Sequence, residues 1–158
     1  MEEIDEHRQG LLSALEVTVS ALGKIVAAIP AAAWQAPTGQ ADSMPHYILA
    51  HLHALESQVF AAQLPRFLDE NNLALPLFDA RAWMAGHYTP GKPARAIYAE
   101  FSHLRTQEVE MLRALSPPGW SRRARHAWWG VRTLQWLVEL QLDHSQRHQK
   151  DLAASLAL

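Results

Sequence analysis

The chain contains no cysteine, and this absence limits the chemistry that it can carry out. Disulfide bonds, thiolate metal ligands and a nucleophilic thiol of the protein's own are all excluded. A metal ion would have to be bound by histidine, aspartate, glutamate or backbone oxygen. Any thiol that takes part in a reaction must therefore arrive with a second substrate.

The chain also lacks a strong net charge and a long apolar run. With 14 basic and 16 acidic residues its net charge is −2, so composition does not favour binding to nucleic acid or to an anionic membrane. No run of about 18 apolar residues is evident, and the acidic start MEEIDEHRQG is unlike a secretory signal. We therefore expect a cytoplasmic protein with no nucleic-acid or membrane partner.

Four long segments have the apolar spacing of α-helices, and none alternates with the period of a β-strand. The predicted helices run from about Ile4 to Ala28, from Ser43 as N-cap through Val59 with weakening at Pro65, from about Pro93 to Leu115, and from Thr133 as N-cap to about Ser155. Within the long connection between helices 2 and 3, FDARAWM is expected to form one helical turn. The pattern predicts an all-α four-helix bundle, with residues 1–158 as a single domain.

Nine histidines are more than a core of this size requires, and three of them lie in the short segment HYILAHLHALE. At about 100° per residue, Ile48 and Leu52 mark the buried face of the second helix. His51 lies on the flank of that face. His46 and His53 lie on the opposite side, where we expect both to point to solvent.

The last helix carries His144 and His148 at i, i+4 spacing, on the same face as Leu137 and Leu152. Two imidazoles at this spacing can bind one cation, and His51 from a facing helix would complete a three-nitrogen site. Three protein ligands leave a position open for water or substrate, as in catalytic metal sites. On the residues alone, it stays open whether each ring is instead hydrogen-bonded to backbone or water at the edge of the core.

Two segments, SMPHYILAHLHALE and GVRTLQWLVELQLDHSQRHQKDL, resemble the DinB-like (YfiT-like) family of metal-dependent four-helix bundles. That family has a histidine followed by leucine on the second helix, which matches His51 and Leu52. It has His-x-x-x-His on the last helix, which matches His144 and His148. The resemblance covers nearly the whole chain, and it implies a zinc or nickel ion bound by these three histidines.

The resemblance also implies a class of reaction. The family members that are better understood are thiol-dependent transferases or isomerases, which use a low-molecular-weight thiol such as bacillithiol or mycothiol. By this resemblance the chain is expected to be a thiol-dependent S-transferase or a hydrolase that acts on a small molecule. The alternatives are a non-catalytic metal-binding stress-response module and a helical interaction protein with structural histidines. Because apolar bundles of this size often pair through helix faces, we also expect a homodimer.

The loop SRRARHAWW before the last helix contains candidate substrate-binding residues. Arg122 and Arg125, together with Arg123, could bind an anionic cosubstrate, and Trp128 or Trp129 could form an apolar wall. The alternative is a solvated basic loop whose tryptophans pack over the end of the bundle. The sequence does not decide between the two.

Overall fold

A computed structural model describes residues 1–36 and 44–157 as seven α-helices and three short strands. The helices are α1 (Glu2–Ala28), α2 (Pro45–Leu55), α3 (Ala61–Asp69), α4 (Ala80–His87), α5 (Ala94–Arg113), α6 (Pro117–Trp120) and α7 (Leu134–Ala154). The strands are β1 (Leu73–Leu75), β2 (Arg123–His126) and β3 (Gly130–Thr133). The predicted cap at Ser43 lies outside the described residues. Thr133 caps α7 as predicted, since its side chain accepts a hydrogen bond from the Trp136 amide.

The long helices form the predicted four-helix bundle. A π-helical turn, Glu56–Phe60, joins α2 to α3, so these two helices form one continuous element. Helix α1 packs mainly against α5 and α7, and α2 packs against the same two helices. The first two long elements of the chain therefore lie across the diagonal of the bundle, with α5 and α7 between them.

The second long helix extends further than predicted, because it continues through Pro65 to Asp69. A proline inside a helix removes one backbone hydrogen bond, at a cost of about 3 kcal/mol. Leu64 and Phe67 on either side of it are fully buried in the core. Burying two such side chains contributes about 1.5–3 kcal/mol each, which offsets the cost of the proline.

The prediction that the chain has no strands is wrong in one place, where a small sheet covers one end of the bundle. Strand β1 pairs parallel with β2, and β2 pairs antiparallel with β3. Each strand has only three or four residues, too few for a period of two to show in the sequence. Gly130, at φ 69°, begins β3 in a left-handed conformation that suits glycine in a short hairpin loop.

The segment FDARAWM forms more structure than the single turn predicted. Helix α4 has eight residues, and Asp79 caps it by accepting a hydrogen bond from the Ala82 amide. Helix α4 packs against α2. Residues 88–92, which follow α4, contact His46 on the face of α2 that the helical wheel assigned to solvent.

The core consists of two apolar clusters with a buried polar layer between them. From α2 into the π-helical turn, the side chains pass from Leu52 in one cluster through Glu56 to Phe60 in the other. Along α5 they pass from Phe101 through Arg105 to Val109. The polar layer thus crosses the bundle at one level, and its members are Glu56, Arg105, Glu108, Gln141 and Ser145.

The polar layer is held together by charged hydrogen bonds. Arg105 donates from Nε to Glu56 at 2.7 Å and from Nη2 to Ser145 Oγ at 2.7 Å. Gln141 Nε2 donates to both Glu56 and Glu108, at 2.9 Å each. Burial opposes ionisation of Glu56, but Arg105 and the hydrogen bonds lower its pKa below the usual value. Burial and the neighbouring Glu56 raise the pKa of Glu108 well above its usual value, so one carboxyl group is ionised and the other is protonated.

Helix α1 is long and apolar enough to cross a membrane, judged by length and composition alone. This differs from the expectation that no such segment exists. Core helices of proteins without membrane segments pass the same test. In this structure Leu15 and Leu22 are buried in the bundle, and Glu16 forms an exposed ion pair with Arg113 of α5.

Candidate metal centre

His51 of α2 and the pair His144 and His148 of α7 converge at one site, which we call the histidine triad. The Nε2 atoms of His51 and His144 are 3.3 Å apart. One nitrogen from each of the three rings lies within 4.8 Å of the other two. The ring centroids are 4.6 to 5.3 Å apart. The structure therefore brings together the three histidines that the sequence singled out.

The triad is neutral at physiological pH. Burial and repulsion from His148 lower the pKa of His51 to about 4. Burial and repulsion from His148 and His51 lower the pKa of His144 to about 3. Burial also lowers the pKa of His148, although the nearby Asp151 acts in the opposite direction. Each ring therefore has a nitrogen lone pair, the form of histidine that binds a metal ion.

Asp151 is a residue of the site that sequence reasoning missed. Its carboxylate lies 3.0 Å from Nδ1 of His148, so the Nδ1–H group donates to it and the lone pair is left on Nε2. A carboxylate that binds the outer nitrogen of a ligating histidine fixes both its tautomer and its orientation. An acid three residues after a candidate ligand on the same helix is the sequence signal that would have revealed it.

His46 and His53 were both predicted to point to solvent. The prediction is wrong for His46, which is buried, and His53 is half-buried. The His46 side chain is 3% exposed, with Nδ1 2.8 Å from the Tyr88 hydroxyl and Nε2 2.6 Å from the Lys92 carbonyl oxygen. The reason is that the connection between α4 and α5 folds over this face of α2. His53 lies 3.1 Å from Glu100 of α5, with 21% of its side chain exposed.

Two cavities border the triad. The larger has a volume of about 640 Å³, and its walls include His144, Phe60 and Trp129. The smaller has a volume of about 340 Å³ and is lined in part by His51 and His148. Ala80, at the start of α4, lines both cavities. The triad is therefore accessible to small molecules from two sides.

The three predicted substrate-binding residues are not brought together. Trp129 lines the larger cavity with His144. Arg122 instead donates to the backbone carbonyl oxygens of Phe67 and Glu70, which ties the loop to the end of α3. Arg125 is exposed on β2 and lines a different groove. Neither arginine lines a cavity that borders the triad.

Comparison with known proteins supports the fold. No family model and no curated protein sequence matches the chain. The structure is similar to that of YfiT from Bacillus subtilis, with a TM-score of 0.82 and 18% sequence identity over 95% of this chain and 86% of that one. YfiT is described as "a probable metal-dependent hydrolase with an unusual four-helix bundle topology". At this identity the similarity shows the fold, and it confirms the YfiT-like bundle predicted from the sequence.

Proposed function

We propose that the protein is a metal-dependent enzyme in which His51, His144 and His148 bind a divalent zinc or nickel ion. The observation that carries this proposal is the convergence of three neutral imidazoles within 4.8 Å beside two cavities. Three nitrogen ligands suit zinc and nickel and leave a coordination position free. When bound, such an ion polarises a carbonyl group, or lowers the pKa of water or of an incoming thiol toward about 7.

The chain's own residues orient the metal ligands and leave space for a substrate. Asp151 fixes the ring of His148 through the Nδ1 hydrogen bond of 3.0 Å. Ser145, next to His144 on α7, is tied to the buried Arg105 at 2.7 Å, and this contact fixes the rotation of α7. The two cavities supply the space for the organic parts of the substrate.

Hydrolysis of a small molecule is the reaction that we favour. It needs only water as the second reactant, and the protein with the similar fold, YfiT, is described as a hydrolase. A thiol-dependent S-transferase is the second candidate. Arg81 lines the smaller cavity with His51 and His148 and supplies a cation for an anionic thiol cosubstrate, which a chain without cysteine would require.

The test is turnover by purified protein loaded with zinc or nickel. A panel of neutral esters and amides would be assayed with and without low-molecular-weight thiols, and a chelator should abolish any activity. The His148→Ala variant should be inactive, whereas the matched control His103→Ala, at an exposed position of α5, should keep wild-type activity. Metal binding without turnover, either with or without thiols, would favour the non-catalytic module. Absence of metal binding would favour structural histidines.

A further inference from the structure

The larger cavity beside the triad has the dimensions of a ligand site. Its volume of about 640 Å³ falls within the range of roughly 300–1,000 Å³ that is usual for small-molecule pockets. Helix α7 and the π-helical turn form one side, and the loop of the β2–β3 hairpin forms the other. His144 lies in its wall, so a molecule bound here would lie beside one of the three imidazoles.

Three polar side chains of the cavity wall each have at least one hydrogen-bond partner, and one of them is Gln63, whose Oε1 accepts from Arg66 at 3.3 Å. The Asp79 carboxylate accepts a hydrogen bond from the Ala82 amide at 3.0 Å. His126 Nδ1 lies 3.1 Å from the Trp128 amide nitrogen and accepts its hydrogen bond. Among the described residues that line this cavity there is no lysine or arginine. In the metal-free protein an anionic ligand would therefore lose its hydration here with no cation to compensate, at a cost of several kcal/mol.

The hairpin presents a wall of aromatic rings. The rings of His126 and Trp129 stack with centroids 4.4 Å apart and an interplanar angle of 23°. Trp129 also meets Trp136 of α7 edge-on, with centroids 5.2 Å apart. Trp128, at the tip of the hairpin, is 75% exposed. A neutral molecule with a flat ring would cover this apolar surface and pack against the aromatic wall.

We propose that the larger cavity binds a neutral, apolar small molecule that contains an aromatic ring, and that this molecule is the substrate class of the triad. The assignment as substrate rests on the proposed metal-dependent function. Binding in the cavity does not, because the aromatic wall includes none of the triad histidines. The smaller cavity differs in its charge, since Arg81 lines it.

Two fluorescent probes with the same ring system test this proposal in the presence of a chelator. N-phenyl-1-naphthylamine is neutral, whereas 8-anilino-1-naphthalenesulfonate carries a sulfonate. We expect the neutral probe to bind saturably, one molecule per chain, and at least about tenfold more tightly than the anionic probe. Equal affinity for the two probes, or no saturable binding of the neutral one, would overturn the proposal.

Variants assign the binding to the cavity. Trp129→Ala removes part of the aromatic wall, and Leu140→Phe fills space from α7 without changing the hairpin. Both should weaken binding of the neutral probe about tenfold or more, whereas Trp83→Ala, a tryptophan of α4 outside the cavity wall, should leave it unchanged. Circular dichroism establishes that each variant is folded. Unchanged affinity in both cavity variants would contradict the proposal.

The same samples separate this proposal from the metal-dependent function. Zinc binding without binding of the neutral probe would leave the metal site standing and refute the apolar substrate class. Probe binding without zinc binding would leave the apolar ligand site standing and refute the metal site. If a second copy of the chain occupied the cavity, probe affinity would fall as protein concentration rises and the chain dimerises, and that result would also refute a small-molecule site.

Discussion

The Nε2 atoms of His51 and His144 lie 3.3 Å apart, although the two residues are 93 positions apart in the chain. Two neutral imidazoles at this distance can share one N–H group, which one ring donates and the other accepts. A metal ion replaces that proton with a single cation that both lone pairs bind. The third ring, His148, is near enough to join them. The relationship between these residues is therefore the basis of the proposed function.

Asp151→Ala should weaken zinc binding by about 10- to 100-fold, the usual effect of losing the partner of a ligating histidine. The physical reason is that His148 loses the carboxylate that accepts its Nδ1–H group, so its ring and tautomer are no longer fixed. Competition with a chromophoric chelator would measure the affinity. Asp143→Ala is the control, because Asp143 is exposed and forms an ion pair with Arg147 on the surface of α7. An equal loss in both variants would contradict a specific role for Asp151.

His46→Ala should lower the free energy of unfolding by about 1–3 kcal/mol, because it removes a buried side chain with two hydrogen bonds, each of which contributes about 0.5–1.5 kcal/mol. The partners in these bonds are the Tyr88 hydroxyl and the Lys92 carbonyl oxygen. Urea unfolding would measure the loss, with the exposed His103→Ala as a control that changes stability by less than about 0.5 kcal/mol. Zinc affinity should remain at the wild-type value in His46→Ala. A stability equal to that of wild type would mean that His46 faces solvent after all.

Glu56→Gln should destabilise the protein by up to about 3–5 kcal/mol, since it removes the carboxylate that pairs with the buried Arg105 guanidinium and leaves only the more distant Glu108 carboxyl group, at 3.7 Å. The side chains of Glu56 and Arg105 are only 1% exposed, and Arg105 Nε lies 2.7 Å from Glu56 Oε1. Glu16→Gln breaks an ion pair whose side chains are 52% exposed, and it should cost less than about 1 kcal/mol. Similar losses in the two variants by urea unfolding would show that the polar layer is not buried as described.

Glu108→Gln should change how stability depends on pH. Burial raises the pKa of Glu108 above the ordinary 4.5, so between pH 5 and 8 the folded protein holds a proton that the unfolded chain releases. This group therefore makes the free energy of unfolding fall as pH rises, and glutamine removes that fall. Glu56 has a lowered pKa, so its stabilisation is lost only as pH falls below about 4.5, outside this window.

Urea unfolding of Glu108→Gln and wild type at pH 5, 6.5 and 8 would measure this difference. The stability of the variant relative to wild type should increase with pH, by at most about 1.4 kcal/mol per pH unit. Because the histidines titrate in both proteins, their contributions cancel in the difference. A difference that is constant across the three pH values would show that Glu108 is ionised in the folded protein.

The sequence predicted the bundle and the triad because both depend on helical periodicity. Apolar residues three and four positions apart identify the long helices, and the same geometry places His144 and His148 one turn apart on α7. His51 followed from its position on the flank of the buried face. Local spacing placed these histidines on their helix faces but left open whether they bind a metal, and the expectation of a shared site came from the resemblance to a known family.

Features that depend on contacts between distant segments were missed. The burial of His46 depends on Tyr88 and Lys92, which reach it from a connection whose path the sequence does not specify. The pairing of β1 with β2 joins residues about fifty positions apart, such as Leu73 and Ala124, and short strands carry no periodic signal. The position of Arg122 away from the triad depends on distant contacts too, because it donates to the backbone carbonyl oxygens of Phe67 in α3 and of Glu70, the residue after α3.

The most direct test of the metal centre is zinc binding by wild type and three single-histidine variants, measured by isothermal titration calorimetry on chelator-treated protein. We expect one zinc per chain in wild type, a loss of affinity of at least about 100-fold in His51→Ala and in His144→Ala, and wild-type affinity in His53→Ala. The control histidine lies two residues from His51 and pairs with Glu100 instead. Wild type that binds no zinc or nickel, or a His51→Ala variant that binds zinc as tightly as His53→Ala, would contradict a metal site at the histidine triad.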